Sequence, residues 1–287
     1  MKTILVTGAS SGIGWDTVRC LSENNFRVIA TVRSKTDFDK LVSACPHNVI
    51  PVLVDLAQFD QIEMLPEKLR RDHQVMQLDG LVNNAGIAFA GPFLDQDFSE
   101  IESILRINVL SVLKMTQVML PLLGAVANSK HAGTIINISS ISGKSAAPFL
   151  SIYAASKHAI EGFSDALRKE MMLFGIQVVV VAPGSIKTAI WNKGFGQIKG
   201  RYVGSAYANA FQKFIRFALS EEKNALEVTQ ISSLIRDILA QKNPAYRYAP
   251  IPRKWINWYL PLILPQRFYN YLTAKTLGFH SKINLKK

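Results

Sequence analysis

The chain has 287 residues, 48% of them hydrophobic, enough to bury a substantial core and too apolar for a disordered chain. Its two cysteines, Cys20 and Cys45, exclude a disulfide framework, and its five histidines show no metal-ligand spacing, so no metal centre is expected. The formal net charge of +12 leaves an anionic partner open, and where that charge sits matters more than its size.

Thr3-Ile4-Leu5-Val6 reads as a short buried strand. Its start leaves no room for a signal peptide, so a cytoplasmic protein is expected. Thr7 to Gly14, TGASSGIG, follows and opens a helical pattern with Val18, Leu21 and Ser22 on one side, ending near Asn24-Asn25. A helix N-terminus offers unpaired N–H groups and a partial positive charge. Glycines let a pyrophosphate approach that backbone closely. Gly8, Gly12 and Gly14 are spaced G-x-x-x-G-x-G, unlike the commoner G-x-G-x-x-G dinucleotide fingerprint.

Arg27 to Val32 reads as the second strand and Val49 to Val54 as the third, ending at Asp55. Ile62, Leu65 and Leu69 lie on one helix face. Leu78 to Val82 leads into Asn83-Asn84-Ala85-Gly86, the fourth strand and its turn. The pattern then predicts a long helix over Ser99 to Leu123, a fifth strand over Thr134 to Ile138, a second long helix over Ile152 to Phe174 and a sixth strand over Gln177 to Val181. This alternation predicts an α/β fold with right-handed βαβ units and a doubly wound parallel sheet. In such sheets ligands bind outside the carboxyl ends of the strands. Val32-Arg33, Asp55-Leu56, Asn83-Asn84, Ser139-Ser140 and Pro183-Gly184 all fall at such ends. Taken singly each has a plainer reading: Asp55 could cap a helix, and Asn83 to Gly86 could be only a turn.

Tyr153-Ala-Ala-Ser-Lys157 opens the second long helix, and residues four apart share a helix face. Ser140 lies upstream in Asn137-Ile-Ser-Ser-Ile-Ser-Gly143, and Asn108 in Ile107-Asn-Val-Leu-Ser111. With the Thr7–Gly14 turn, these motifs resemble the short-chain dehydrogenase/reductase family, in order, over about the first two-thirds of the chain to near Thr188. The pattern is most similar to the steroid- and retinol-dehydrogenase-like branch.

The resemblance implies a single Rossmann-type domain over 1–250, sheet order 3-2-1-4-5-6-7, a substrate loop at about 186–204 and a helical C-terminal extension over 251–287. It implies a catalytic set of Tyr153, Lys157, Ser140 and Asn108. Tyr153 would be the general acid/base and Ser140 would hold the substrate oxygen. Lys157 would lower the tyrosine pKa and bind the nicotinamide ribose, and Asn108 would hold a proton-relay water. Ser139 and Ser142 are rivals for the serine role, which the Ser140-to-Tyr153 spacing decides. It also implies a cofactor surface of Gly8, Ser10, Ser11, Gly12, Ile13, Gly14, Arg33, Asp55, Leu56, Asn84, Ala85, Gly86, Tyr153, Lys157, Pro183, Gly184, Ile186 and Thr188. An acidic residue at the end of the second strand would suit NAD; Val32 stands there, and Arg33 after it suits a 2′-phosphate, so NADP(H) is the expected cofactor. Ser34 and Lys35 would add donors and charge there.

The expected reaction interconverts an alcohol with a ketone or aldehyde on a lipophilic substrate. Trp191, Phe195, Tyr202 and Tyr207 would close over it, or simply pack. The alternative is an NADP(H)-binding redox-sensing regulator, which need not retain the Ser, Tyr and Lys set. A homodimer or homotetramer through the two long helices is implied as well. No nucleic acid is expected, because the basic residues do not fall on a recognisable nucleic-acid module.

From Lys242 to the C-terminus the chain has nine Lys or Arg and no Asp or Glu, with nine of its 27 aromatic residues. Two short amphipathic helices are expected, near Arg253 to Leu260 and Pro265 to Leu277. A basic, aromatic, amphipathic tail suits peripheral contact with an anionic membrane; a pocket roof or a subunit interface would use the same aromatics.

Overall fold

The computed structural model describes residues 1–45, 48–188 and 201–279. Strands β1 (Thr3–Val6), β2 (Arg27–Val32), β3 (Val49–Leu53), β4 (Gly80–Asn83), β5 (Thr134–Ile138), β6 (Gln177–Val181) and β7 (Arg247–Tyr248) form one sheet. Its order is β3-β2-β1-β4-β5-β6-β7, and every pairing is parallel. The helices are α1 (Gly12–Glu23), α2 (Lys35–Ala44), α3 (Phe59–Glu63), α4 (Leu65–His73), α5 (Phe98–Leu105), α6 (Ser111–Met119), α7 (Ser151–Met171), α8 (Ala208–Glu221), α9 (Val228–Ala240), α10 (Leu260–Ile263) and α11 (Gln266–Leu277).

Side chains alternate across the strands, so each strand feeds two cores. Ile4, Val6, Val28, Ala30, Val179 and Val181 meet Val18 and Leu21 of α1 and Ile231, Ile235 and Ile238 of α9. Leu5, Ile29, Leu81, Ile135 and Val178 meet Ile62, Leu65 and Leu69, Met115 and Met119 of α6, and Leu167 of α7.

Four elements differ from expectation. Ile62, Leu65 and Leu69 do share a face, but across two helices, because Pro66 in the first turn of α4 restarts the helix after Met64. The single long helix predicted over Ser99 to Leu123 is α5 and α6 joined by a π-turn at Arg106–Leu110, and the regular helix ends at Met119. Strand β3 stops at Leu53, one residue short. The tail enters through a π-turn at Trp255–Tyr259 and α10, then restarts as α11 with Pro265 as its N-cap.

Strand β3 lies at one edge of the sheet and carries Pro51 opposite Ala30. The Asn48 carbonyl accepts from Val28 N and Val54 N donates to Val32 O, both at 2.9 Å. Even-numbered residues of β3 therefore pair with β2, and the Pro51 nitrogen faces the open edge.

Among the described residues no helix is long and apolar enough to cross a membrane, and no three His, Cys, Asp or Glu side chains are grouped to hold a metal ion. Residues 189–200 of the expected substrate loop, with Trp191 and Phe195, and the basic Lys282, Lys286 and Lys287 lie outside the described residues.

Candidate active site

The turn between β1 and α1 is built for close approach. Gly8 and Gly12 have φ of +68° and +57°, the left-handed region that glycine occupies without strain. Gly14 packs against the Gly8 carbonyl and the Asn84 amide, leaving no room for a Cβ. The turn is pinned from β4: Asn84 Nδ2 donates to the carbonyls of Thr7 (2.9 Å) and Gly8 (3.2 Å). Thr7 Oγ1 accepts from the backbone N–H groups of Asn84 and Ala85 at 3.0 and 3.1 Å. Ser11, the N-cap of α1, makes no side-chain capping bond among the described residues. Ser10, Ser11 and Ile13 complete this turn, and a bare, glycine-lined helix start of this kind fits the pyrophosphate of a dinucleotide. Thr188 comes to the same place from beyond β6: a Cβ on Gly12 would stand 3.4 Å from its Cγ2.

Arg33 is exposed at the end of β2. Ser34 and Lys35 are already committed within α2. Ser34 caps the helix, accepting from Asp37 N at 3.1 Å and donating to its carboxylate at 2.6 Å, and Lys35 pairs with Asp39 at 2.7 Å. Past β3, Asp55 Oδ1 accepts from Ala57 N at 2.9 Å and shapes the turn, while Leu56 packs on the core. Pro183 accepts from Ile141 N at 3.0 Å, Gly184 packs against Ile251 and Pro252, and Ile186 bridges to Leu226. All these expected cofactor positions border the carboxyl ends of the strands.

Asn108 sits in the π-turn, fully buried. Its Oδ1 accepts from Ile87 N at 2.8 Å, and its Nδ2 donates to Ile87 O at 2.9 Å and to Ser156 Oγ at 3.1 Å. The carboxamide is thus spent on protein partners. A π-turn inside a helix is a feature often found at functional sites.

Tyr153 and Lys157 occupy the first turns of α7 at 8% and 5% exposure. Tyr153 is hydrogen-bonded to Ser140, and Ser140 Oγ also accepts from Ser142 N at 3.1 Å. Ser139 Oγ is buried without a partner among the described residues, and it is Ser140 that reaches the phenol. Lys157 Nζ donates to Ile138 O at 2.9 Å and lies 5.7 Å from the Tyr153 ring centre. A Cβ on Gly86 would stand 3.7 Å from that Nζ and 3.4 Å from Asn108 Oδ1, so the β4 turn closes the same space. Burial pulls Lys157 down to about 8, with the Glu161 carboxylate opposing. Burial also pushes the Tyr153 phenol up, with the Ser140 hydrogen bond opposing. Desolvation penalises the charged form of both groups, and it is the Ser140 hydrogen bond that draws the phenol the other way.

Tyr153 belongs to a third buried cluster with Ala88, Ala90, Phe149, Leu150, Tyr202, Phe211, Phe214 and Leu277. Phe149 is its hub, edge-on to Phe211 and Phe214 with ring centres 5.2 and 5.5 Å apart, on a backbone with φ of +67°. A bulky residue in that region is uncommon and is held by its packing. Sequence reasoning passed over Phe149, Phe211 and Phe214, since helical spacing marks an aromatic only as buried. It also missed Glu161, one turn beyond Lys157 and 3% exposed, which receives Arg247 of β7 at 3.0 and 3.2 Å. Arg247 in turn lies 4.8 Å from the centre of the Trp258 ring.

A turn that fits a dinucleotide, with a buried Ser, Tyr and Lys set at the carboxyl end of a parallel sheet, defines a nucleotide-dependent oxidoreductase. The family model for short chain dehydrogenase matches residues 2–198. The NADPH-dependent 3-dehydrocapnine reductase of Ornithobacterium rhinotracheale is 31% identical over 278 residues, covering 96% of this chain and 98% of the relative. The 3-ketodihydrosphingosine reductase of Bacteroides thetaiotaomicron is 31% identical over 247 residues, covering 86% of each. A crystal structure of a short-chain dehydrogenase from Streptomyces avermitilis shares the fold, with a TM-score of 0.73, 23% identity and 98% coverage of both chains. The chain belongs to the short-chain dehydrogenase/reductase family and is an oxidoreductase.

Proposed function

We propose that this protein uses NADPH to reduce a keto group on a lipophilic substrate, with Tyr153 as proton donor. The observation that carries the reading is the position of Tyr153, bonded to Ser140 on one side and set in the wall of an aromatic cluster on the other. Apolar walls with a few convergent polar groups suit a lipid ketone. The names of the two relatives, one for a 3-dehydro and one for a 3-keto substrate, support the same class.

Bound along the α1 turn, the cofactor supplies the hydride. Gly8, Gly12 and Gly14 would admit its pyrophosphate, and Arg33 would supply charge-assisted hydrogen bonds to a 2′-phosphate, which would favour NADPH over NADH. Asn84, Ala85, Gly86, Ile186 and Thr188 bound its remaining length. Ser140 donates a hydrogen bond to the substrate oxygen as negative charge develops there. Tyr153, kept protonated by burial, gives its proton to that oxygen. Lys157 supports the charge left behind.

Steady-state assays with 3-ketodihydrosphingosine and with steroid, retinoid and acyl ketones, each run with NADPH and NADH, test the reading. The expected result is turnover of a lipid ketone with NADPH favoured, and a drop of roughly 10²–10⁴-fold in kcat for Tyr153→Phe while NADPH still binds. Near-normal turnover by that variant would refute the proton-donor role.

The assembly follows the same reading: a cytoplasmic protein of one 1–250 domain with a 251–287 extension, pairing through α5–α6 and α7. The extension contributes Leu277 to the aromatic cluster and presents Trp255, Ile263 and Phe268 outward. Those exposed apolar side chains and the missing acids support peripheral contact with anionic lipid.

A further inference from the structure

Among the described residues two charged side chains are buried, Lys157 at 5% exposure and Glu161 at 3%. They stand one turn apart on the same face of α7. The reaction proposed above uses the first and gives the second no part.

Glu161 is fixed in its place from two sides. Arg247 of β7 donates to both carboxylate oxygens, from Nε to Oε2 at 3.0 Å and from Nη2 to Oε1 at 3.2 Å. The turn that bears Ser140 seats against the stem: a Cβ on Gly143 would stand 2.9 Å from Glu161 Cγ and 3.1 Å from the Lys157 carbonyl oxygen. Arg247 is itself held over the Trp258 ring.

The other groups that face Lys157 carry no negative charge. Its Nζ donates to the Ile138 carbonyl of β5, and Gly86 and the Asn108 amide lie across the same space. Tyr153 precedes it on α7 as a phenol whose proton burial retains. Arg247 meets Glu161, and Glu161 is the carboxylate whose field favours the ammonium of Lys157 against the pull of burial. As packing alone, an ion pair at this depth is a poor solution, since apolar side chains of like volume often fill such a place with a gain in stability. A negative charge beside the reactive lysine has a use that packing lacks.

We propose that Glu161 is a positioning residue of the reaction, the fixed counter-charge that keeps Lys157 an ammonium next to Tyr153, with Arg247 holding the carboxylate in place. Its effect on turnover rests on the proton-donor reading above; the counter-charge itself rests on the geometry of α7 and β7.

Glu161→Gln tests this, because the amide keeps the length of the side chain and an oxygen for Arg247 and removes the charge. The isotope-labelled lysines of the full chain are titrated by NMR between about pH 6 and 11, without added nucleotide, and the Lys157 signal is assigned by its loss in Lys157→Met. The wild-type midpoint is expected at about 8. In Glu161→Gln it should fall by about one pH unit, since the anion is gone and the Arg247 charge is left unopposed. The alkaline decline in kcat for 3-ketodihydrosphingosine with NADPH should move down with it. The double variant Glu161→Leu with Arg247→Met strands no charge and should show a smaller fall in the same direction, so a loss of folding in Glu161→Gln does not remove the test. An unmoved Lys157 midpoint in whichever variant folds would overturn the proposal. A lowered midpoint with an unmoved kcat profile would refute the support given to Tyr153 by Lys157, and the positioning role would fall with it. If the wild-type protein reduced no such ketone, the failure would lie with the lipid-ketone reading, and the lysine titration would still decide on the counter-charge.

Discussion

Two ionisable groups share the interior of the site, and for both the neutral form is favoured by burial. Lys157 is the more exposed to pH, because its pKa of about 8 falls within the working range. On the proposed mechanism its ammonium supports the developing charge on Tyr153, and ketone reduction should then hold steady below pH 8 and decline as pH rises through that value. A kcat profile from pH 6 to 10 checks this, and a profile flat to pH 10 would separate Lys157 from the proton transfer. The same depressed pKa affects folding with the opposite sign. Between about 8 and 10.5 the unfolded chain holds a proton on this lysine that the folded chain does not, so this group's contribution to stability rises with pH. At this scale the sequence was legible where chemistry fixes spacing. Tyr153 and Lys157 stand one helical turn apart, whereas Ser140 is set apart from Ser139 and Ser142 only by the resemblance, through its spacing from Tyr153.

At the scale of elements, residue patterning located neither the π-turn nor β7, a seventh strand that only the resemblance implied. A two-residue strand has no alternation to detect, and a π-turn preserves the apolar spacing of the helix it interrupts. Yet β7 delivers Arg247 to Glu161, and so ties the entry of the tail to the helix bearing Tyr153 and Lys157. With Glu161 at 3% exposure, removing its partner leaves a carboxylate stranded in the interior. Arg247→Met should therefore cost roughly 3–5 kcal/mol and lower Tm by about 6 °C or more, read by calorimetry. The double variant Glu161→Leu with Arg247→Met should recover most of that loss, since replacing both partners removes the stranded charge. Equal destabilisation by the single and double variants would show that Arg247 acts through its stack on Trp258 instead.

For the whole molecule, the α/β architecture, with helices on both faces of the sheet, was legible because strands and helices alternate in a regular apolar pattern, whereas the tail's role depends on what it meets. If the tail lies on lipid, the full chain should co-sediment with anionic vesicles at low ionic strength and less so at physiological salt. Removal of the residues after Pro252 should abolish it, and reversing Lys254 and Lys275 to Glu in the full chain should weaken it without disturbing the aromatic cluster. Undiminished binding by both variants would eliminate the idea. The far side of the sheet has a different bearing on how copies of the chain behave when crowded. A parallel sheet ends in two open edges, each offering hydrogen bonds to any strand that drifts against it. One edge here is β7, too short to template a neighbour, and the other is β3, where the Pro51 nitrogen faces outward and carries no hydrogen. A strand from another copy aligned there would find a gap in the row of donors at its centre. One imino acid thus interrupts the row of donors at the edge where an eighth strand would have to pair.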